Sequence, residues 1–446
     1  MSSADTLQPI PGEDRVFGTT SYILMWWSSL IVIQAFVLGQ GFLPPNGSLN
    51  LVQAVVVVCA ANVIFIVMFS LNGRAGMRFG IPFSIQLRTS FGVRGAKFAE
   101  FLRAAPAIIW YGIGSWIAAG SFDYIVKTLT GFTSSWTVFA YFATFQVLQS
   151  YLAWRGIRTM KWFNGIGSII ITATMIYLLV TLLQKEGLVL SESWYHEGTW
   201  GIPFWVALTS AIGVLATVML NISDISRHLK PSGPRLWIGH IAGLMPPWFF
   251  MLGLGIISGA TLGIWDPVEA LVALSPSPLS MLILLSFVLL AQFTTNLSIN
   301  ILPPAMIFMD AFKMSWHSSV ILTGVLGLLS CPWILLGNAD AFFGFILYYS
   351  AFFGPLLGVM LADYYIVNQS ELDVEAMYRS DQESPYWFSG GVNMAGLLAV
   401  ILPASVSMVA FLHVSWIVGL PAGFILYLVL DRLMNRRFRL KPQAAS

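Results

Sequence analysis

The sequence predicts an all-α polytopic membrane protein with twelve transmembrane helices. Hydrophobic residues make up 57% of the 446-residue chain and charged residues only 9%, whereas a soluble domain carries about 25% charged residues. The apolar residues fall into segments that reach the roughly 20 residues a helix needs to cross a bilayer. The basic residues are concentrated in alternate loops, as expected of a chain that crosses a membrane many times.

The apolar segments define twelve spans, which short polar loops separate. In chain order they cover approximately residues 21–43, 50–71, 98–128, 135–153, 163–184, 202–221, 236–260, 279–301, 317–337, 340–366, 389–411 and 413–431. Residues 1–20 form a polar tail without the features of a secretory signal, and residues 432–446 form a basic tail.

The loops differ sharply in basic residues. By this division, 20 of the 22 Lys and Arg residues fall on one side, and only Lys127 and Lys185 fall on the other. Because short loops rich in Lys and Arg stay in the cytoplasm, both termini are predicted to be cytoplasmic. Twelve spans fit this charge pattern, whereas an odd number of spans would scramble it. We expect a multi-pass protein of a cell membrane, the bacterial inner membrane in particular.

Composition also excludes several classes of function. The net charge of +2 is too small to indicate a nucleic-acid partner. Cys59 and Cys331 are isolated in apolar segments, so they are predicted to be buried core thiols and not a disulfide framework. The five histidines show no metal-ligand spacing. Small-residue pairs such as Gly255/Gly259 and Gly354/Gly358 are interpreted as helix packing.

The eighth span carries two polar stripes within Leu289–Pro304. At about 100° per residue, one face holds Ala291, Thr294, Thr295 and Ser298, and a second face holds Gln292, Asn296 and Asn300. Unpartnered hydroxyls and amides are costly in lipid. The hydroxyl face offers hard oxygens to a small cation, and the amide face offers donors and acceptors to a polar solute. Hydrogen bonding between helices is the alternative for either stripe.

Two other spans carry features at mid-membrane depth. Trp110 lies in the third span beside Gly112 and Gly114, which leave room for a flat ligand or a close helix. Gln34 in the first span and Gly213 in the sixth would be counterparts if the two halves are inverted repeats. Carboxylates are scarce at this depth, since Asp123, Asp224 and Asp363 lie near span ends. A buried carboxylate or histidine is the usual proton carrier inside a membrane. The scarcity of carboxylates therefore favours a metal cation over a proton as the ion bound in the membrane.

Several motifs, taken together, resemble the nucleobase:cation symporter-1 family, which includes hydantoin, allantoin, cytosine and uracil permeases. They are Gly80-Ile81-Pro82-Phe83, Trp110-Tyr111-Gly112, Asn221-Ile222-Ser223-Asp224, Thr294-Thr295-Asn296 and Gly354-Pro355-Leu356. The resemblance covers nearly the whole chain. It implies a five-plus-five inverted-repeat core, with residues 21–184 as the first repeat and 202–366 as the second. Residues 389–431 would supply two further helices.

The resemblance also implies residue roles between spans one, three, six and eight. Sodium would be held by carbonyls near Ser28 and Ile31 and by Ala291, Thr294 and Thr295. Trp110 would stack on the ligand, and Asn300 would hydrogen-bond to it, with Asn296 beside it on the amide face.

Three positions depart from the hydantoin-type pattern. Gly114 stands where that pattern has an amide, and Leu215 stands where it has a second tryptophan. The amide of span one aligns with Val32 without gaps, whereas Gln34 lies two residues on.

The sequence therefore predicts a monomeric secondary transporter. It would carry a small planar nitrogen heterocycle such as a nucleobase, hydantoin or allantoin by alternating access, with sodium as coupling ion and a proton as the alternative. An amino-acid permease on the same architecture is the second interpretation. A membrane-embedded enzyme is the third interpretation. The sequence argues against it, because it shows none of the catalytic clusters that such an enzyme needs.

Overall fold

The computed structural model describes residues 7–155, 173, 176–181 and 192–435. This part of the chain is helical and contains no β-strand, only two isolated bridges. Fifteen α-helices in it have eight or more residues. They are α1 Thr19–Leu30, α2 Ile33–Gln40, α3 Leu51–Phe79, α4 Phe83–Phe91, α5 Ala96–Thr130, α6 Thr137–Trp154, α7 Ile202–Leu220, α8 Gly233–Leu262, α9 Pro267–Leu274, α10 Pro278–Thr295, α11 Leu302–Phe312, α12 Trp316–Leu328, α13 Ala339–Ala362, α14 Met394–Ala410 and α15 Ser415–Met434.

The helices follow the predicted spans, and the all-α membrane prediction is confirmed. Six helical segments are long and apolar enough to cross a bilayer, and the bent pair α1–α2 makes a seventh. Most of the predicted fifth span, 163–184, lies outside the described residues, so the count of twelve stays a prediction. α3 and α5 extend beyond the predicted spans, because polar residues such as Arg78 and Lys97 continue a helix that hydropathy alone would end.

The first span is broken. α1 and α2 meet at a 54° bend, with Ile31 and Val32 outside both helices. No Gly or Pro lies at this point. The run Ile31-Val32-Ile33 is β-branched, and such residues fit a helix less well than an extended backbone. The N–H of Ala35 bonds the carbonyl of Val32 instead of that of Ile31, its usual partner, so the break releases backbone oxygens inside the bundle.

The eighth span is longer than predicted and changes pitch along its length. Pro278–Phe312 runs as one 35-residue segment, in which a π-helical stretch, Asn296–Ile301, separates α10 from α11. Pro303 and Pro304 follow at once and cannot donate the N–H groups that an α-helix would require. The wider π turn accommodates this loss and rotates the residues that follow relative to a regular 100° wheel.

Glycines permit the closest helix contacts. A Cβ atom at Gly39 or Gly255 would collide with backbone of the partner helix where α2 crosses α8, and one at Gly354 or Gly358 would collide with α15. The interpretation of the Gly255 and Gly354 pairs as packing sites is confirmed. Gly213 behaves likewise: α7 runs through it unbroken, and its missing Cβ makes room for Ser350 and Ile346 of α13.

The basic loops gather at one end of the bundle, called here the basic end. The Arg15 side chain bonds the carbonyls of Met77 and Leu229, and burial lowers the pKa of its guanidinium. Arg78 pairs with Glu371 at this end. The N-terminal segment is thus fastened to the same end as the loops after α3 and α7. Residues 1–6 and 436–446 of the two tails lie outside the described residues.

The prediction of buried cysteines is wrong. Cys59 is exposed on the surface of α3, and Cys331 is half-buried. In a bilayer, apolar sequence around a thiol is equally suited to a lipid-facing surface, so hydropathy cannot distinguish the two positions.

Candidate functional site

A cavity lies where the break between α1 and α2 meets α5, α7 and the π-helical segment. Its volume is about 40 Å³, against roughly 300–1,000 Å³ for small-molecule sites, so the lining side chains must move apart to admit a solute. Its lining residues are Ser29, Leu30, Val32, Gln34, Trp110, Val214, Leu215, Thr217, Val218, Thr295, Ile299 and Asn300. None of these is charged, so the cavity suits a neutral molecule.

Trp110 forms the aromatic wall. Its side chain is 4% exposed, and two rings of α13 hold it edge-on: Phe342 at 5.8 Å and Phe345 at 5.4 Å between centroids. These T-shaped contacts fix the orientation of the indole. An aliphatic part of the lining comes from α7 and consists of Val214, Leu215 and Val218. The lining therefore combines one aromatic ring with aliphatic side chains.

A chain of amide side chains begins at the cavity and runs behind it. The Gln34 amide nitrogen donates to the Gln292 amide oxygen at 2.9 Å. Asn300 donates to Asn296 at 2.8 Å, and Asn296 donates to Gln149 at 2.8 Å. The Gln34 amide oxygen and the Gln292 amide nitrogen are buried without a partner among the described residues. The first of these atoms belongs to a residue that lines the cavity.

Gly114 creates the space that these amides occupy. A Cβ atom at this position would lie 2.7 Å from the Asn296 amide oxygen, 2.8 Å from the Asn296 amide nitrogen and 2.9 Å from the Gln292 amide oxygen. Real Cβ atoms do not come this close to such atoms. Gln292 and Asn296 thus bring amides from α10 and the π-helical segment to the space beside Gly114.

The hydroxyl face divides into two kinds of group. Thr295 lines the cavity, and its hydroxyl is buried without a partner among the described residues. Thr294 instead donates to the Ala291 carbonyl at 2.9 Å, and Ser298 donates to the Thr294 carbonyl at 2.8 Å. Such bonds use the hydroxyl proton and leave oxygen lone pairs. On α1, the Ser28 hydroxyl donates to the Met25 carbonyl at 2.7 Å.

The structure brings most of the predicted site residues to one place. Gln34, Trp110, Leu215, Thr295 and Asn300 line the cavity. Gly114 and Asn296 do not line the cavity, although Asn296 accepts a hydrogen bond from the lining residue Asn300. Ile31 lies between two lining residues, whereas Ser28, Ala291 and Thr294 do not line the cavity. Val32 and Gln34 both line it, so either alignment of span one places a residue at the cavity.

Sequence reasoning missed two buried ionisable residues on α5. Glu100 and Arg103 are both 0% exposed, although they lie at one end of the third predicted span. Arg103 donates to the Asn221 amide oxygen at 2.9 Å and to the Ile299 carbonyl at 3.4 Å, immediately beneath the cavity. The signal was available, because two charges one helical turn apart lie inside the predicted 98–128 segment.

A second, wider groove lies on the outside of the bundle between α6 and α12. Its lining includes Val147, Tyr151, Trp154 and Ile321, and several of these side chains are exposed. Exposed apolar side chains are expected where a membrane protein meets lipid, and none of the predicted site residues lies there. Within the described part of the chain, no group of three or more His, Cys, Asp or Glu residues is arranged to hold a metal ion.

Comparison with known proteins places this site in a family context. The model of the family described as permeases for cytosine/purines, uracil, thiamine and allantoin matches residues 9–429. A hydantoin permease of Microbacterium maritypicum is 27% identical over 98% of this chain and 90% of its own length. An allantoin permease of Bacillus subtilis is 25% identical over 97% of this chain and 93% of its own length.

Solved structures show the same fold. The structure of Mhp1, a nucleobase-cation-symport-1 family transporter, in a closed conformation with bromovinylhydantoin bound, matches with a TM-score of 0.85 at 26% identity, covering 98% of this chain and 97% of that one. The inward-facing conformation of Mhp1 matches with a TM-score of 0.86 at 26% identity, covering 98% of this chain and 95% of that one. A sodium-coupled sialic acid symporter, 14% identical with a TM-score of 0.65, shares the fold alone.

Proposed function

The chain belongs to the family of permeases for cytosine/purines, uracil, thiamine and allantoin, and from this premise we propose that it is a sodium-coupled symporter of a small planar nitrogen heterocycle. The family consists of permeases and not enzymes, which excludes the membrane-embedded enzyme considered from the sequence. The observation that carries the proposal is the shared cavity, which Trp110 and Thr295 both line.

The cavity supports a neutral, flat solute. Trp110 offers a ring face for stacking, and Leu215 adds an apolar surface to the lining. Gln34 and Asn300 supply the amides that pair with the N–H and C=O edges of a heterocycle. An amino-acid permease would have to capture a carboxylate and an ammonium group. The uncharged lining supports the heterocycle over that second interpretation.

The oxygen atoms near the helix break support sodium as the coupling ion. Hard cations prefer carbonyl and hydroxyl oxygens. The backbone at Ile31 is released from helical bonding, and Thr295 presents a hydroxyl without a partner among the described residues. Ser28, Ala291 and Thr294 lie on the same two elements and would contribute further oxygens. A proton is the alternative coupling ion.

Contacts at the two ends of the bundle support alternating access. Toward the basic end, α4, α5 and α11 close over the site through the buried pair Arg88–Asp310, 3.2 Å apart. Toward the other end, Trp265 packs on Phe342, with ring centroids 5.9 Å apart. We propose that these two closures open in turn, with the basic end and both termini facing the cytoplasm. One chain supplies all the site residues, so we expect the monomer to be sufficient.

The departures at Gly114 and Leu215 support a solute other than an aryl-substituted hydantoin. The aliphatic part of the lining lacks the second ring that would sandwich a planar molecule. The region near Gly114 is already filled by the Gln292 and Asn296 amides. We propose a compact ring with few substituents, such as a nucleobase, an unsubstituted hydantoin or allantoin.

Uptake by the purified full-length protein in proteoliposomes tests the proposal. Labelled uracil, cytosine, hydantoin and allantoin would be offered with an inward sodium gradient, an inward proton gradient or none. We expect one heterocycle to accumulate under the sodium gradient and unlabelled amino acids to compete poorly. Uptake that follows the proton gradient and ignores sodium would contradict the coupling assignment. Competition by an amino acid alone would contradict the solute class.

A further inference from the structure

A buried cluster of charged groups seals the basic end of the bundle, outside the site described above. Arg88 of α4 and Asp310 of α11 form its ion pair, with side chains 8% and 5% exposed. Glu100 of α5 is 0% exposed and lies within electrostatic reach of Asp310, Arg88 and Lys97. The cluster lies ten residues along α5 from Trp110, or roughly 15 Å at the rise of an α-helix.

Glu100 lacks a hydrogen-bond donor. Both of its carboxyl oxygens are fully buried without a partner among the described residues. Arg88 directs its guanidinium to Asp310 and to the Met377 carbonyl instead, at 3.2 Å and 3.1 Å. An ionised carboxylate in this position would be a buried, unpaired charge beside a second carboxylate, which is among the most costly arrangements in a protein interior.

The other charged side chains near Glu100 do not pair with its carboxyl group, because each contacts another partner. On α5, Lys97 donates to the Ala311 carbonyl at 2.9 Å, and Arg103 turns away toward Asn221. After α11, Lys313 reaches Asp310 at 3.4 Å with a side chain that is 74% exposed. The nearest titratable group of the 374–378 helix, Tyr378, faces Arg88 and Arg227 and donates to the Leu7 carbonyl at 2.6 Å.

One proton added to Glu100 would balance the charges of the cluster. A carboxylic acid at Glu100 has an O–H group that can donate to the Asp310 carboxylate, and such charge-assisted bonds are strong. The negative charge that remains on Asp310 is matched by the positive charge of Arg88. The three side chains then carry no net charge, which suits their burial between α4, α5 and α11.

We propose that Glu100 and Asp310 together form a proton-binding site that holds the basic end closed, and that opening this end releases the proton to water on that side. When α4 and α11 move away from α5, the Glu100 oxygens become hydrated, the O–H bond breaks, and Glu100 becomes a carboxylate while the solution receives H⁺. The inference goes beyond the proposed function, because it does not depend on which heterocycle or which coupling ion occupies the cavity.

The proposal predicts that acid on the basic side opposes opening. Uptake into proteoliposomes should fall several-fold when the compartment facing the basic end is acidified, since the released proton returns to the pair. Glu100→Gln retains a neutral side chain at every pH. Uptake by this variant should therefore not depend on the pH of that compartment. Glu375→Gln is the matched control, because Glu375 is at the same end with a side chain 83% exposed in a pair with Arg379. It should keep the wild-type response.

Infrared difference spectroscopy of the full-length protein at neutral pH tests the proton itself, without substrate or sodium. The wild-type protein should show the C=O stretch of a buried carboxylic acid, absent from Glu100→Gln and present in Glu375→Gln. Asp310→Asn should also lose this band, because the new amide donates to an ionised Glu100 and replaces the shared proton. Identical spectra for wild type and Glu100→Gln, or a band that persists in Asp310→Asn, would overturn the proposal. Failure of heterocycle uptake would contradict the proposed function and leave the infrared result standing.

Discussion

Gln34 of the broken first span is hydrogen-bonded to Gln292 of α10, with the Gln34 amide nitrogen 2.9 Å from the Gln292 amide oxygen. The bond joins the residue that reaches the cavity to one buried behind it. It therefore fixes the orientation of the Gln34 amide, whose oxygen has no partner among the described residues. If Gln34 binds the solute as we propose, recognition of an N–H edge would depend on a residue that does not itself line the cavity.

Replacing Gln292 by leucine should weaken ligand binding through Gln34. Gln292→Leu removes the acceptor and leaves the buried Gln34 amide unsatisfied, at a cost of about 1–3 kcal/mol. We expect a lower affinity for the transported heterocycle, measured by ligand-dependent thermal stabilisation. Ser286→Ala on the same helix is the control, because the Ser286 hydroxyl bonds only the Leu282 carbonyl at the exposed surface. Unchanged stabilisation in Gln292→Leu would contradict this role.

Adding one methyl group at Gly114 should disturb the same amides. In Gly114→Ala the new Cβ lies within 2.7–2.9 Å of the Asn296 and Gln292 side chains, so one of the amides must move. We expect heterocycle affinity to drop by about tenfold or more, equivalent to about 1.4 kcal/mol. Gly120→Ala on the same helix provides the comparison, since its Cβ would meet only Val268 at an ordinary 3.5 Å. Equal affinities for the two variants would disprove the crowding argument.

Trp110 should supply affinity through the flat face of its ring. Trp110→Leu keeps an apolar side chain but loses the aromatic geometry, which contributes about 0.5–1.5 kcal/mol beyond burial alone. Equilibrium binding of the heterocycle should therefore weaken by up to about tenfold. Trp136→Leu, at a position 76% exposed, should bind as wild type does. Wild-type affinity in Trp110→Leu would remove the indole from the recognition surface.

The contact between α2 and α8 should tolerate no side chain at its crossing point. Gly255→Ala brings a Cβ against the Phe36 carbonyl, and overpacking of this kind costs about 1–3 kcal/mol. We expect a lower unfolding temperature in detergent. Gly253→Ala, two residues earlier with nothing within 4 Å of its Cβ, should be neutral or slightly stabilising because alanine favours a helix. A stable Gly255→Ala protein would show that α2 can shift without loss.

Sequence patterns predicted the helical segments and the polar character of the eighth span, because hydropathy and periodicity act locally. They did not predict how that span divides. A regular helical wheel places Thr294 and Thr295 together, whereas in the structure only Thr295 lines the cavity. The two residues are about 100° apart on the wheel, and Thr294 bonds the Ala291 carbonyl of its own helix. The π-helical stretch that follows, Asn296–Ile301, changes the faces of the later residues, which a fixed 100° periodicity cannot represent.

The sequence also did not predict contacts between residues that are far apart in the chain. The bond between Gln34 and Gln292 joins residues 258 positions apart. The burial of Glu100 depends on Asp310, which lies in a different part of the chain. The exposure of Cys59 depends on which face of α3 meets lipid. Each of these is a property of the assembled bundle, so composition and spacing alone do not determine it.

The linkage between heterocycle and sodium tests the central claim most directly, because Trp110 and Thr295 line one cavity. Heterocycle affinity would be measured with and without sodium in wild type, in Thr295→Ala, and in Thr323→Ala, a buried hydroxyl that bonds only its own helix at the Ser319 carbonyl. We predict that sodium tightens binding in wild type and Thr323→Ala, that the heterocycle tightens sodium binding by the same factor, and that Thr295→Ala loses this coupling. Equal sodium-dependent tightening in Thr295→Ala, or none in wild type, would contradict the account.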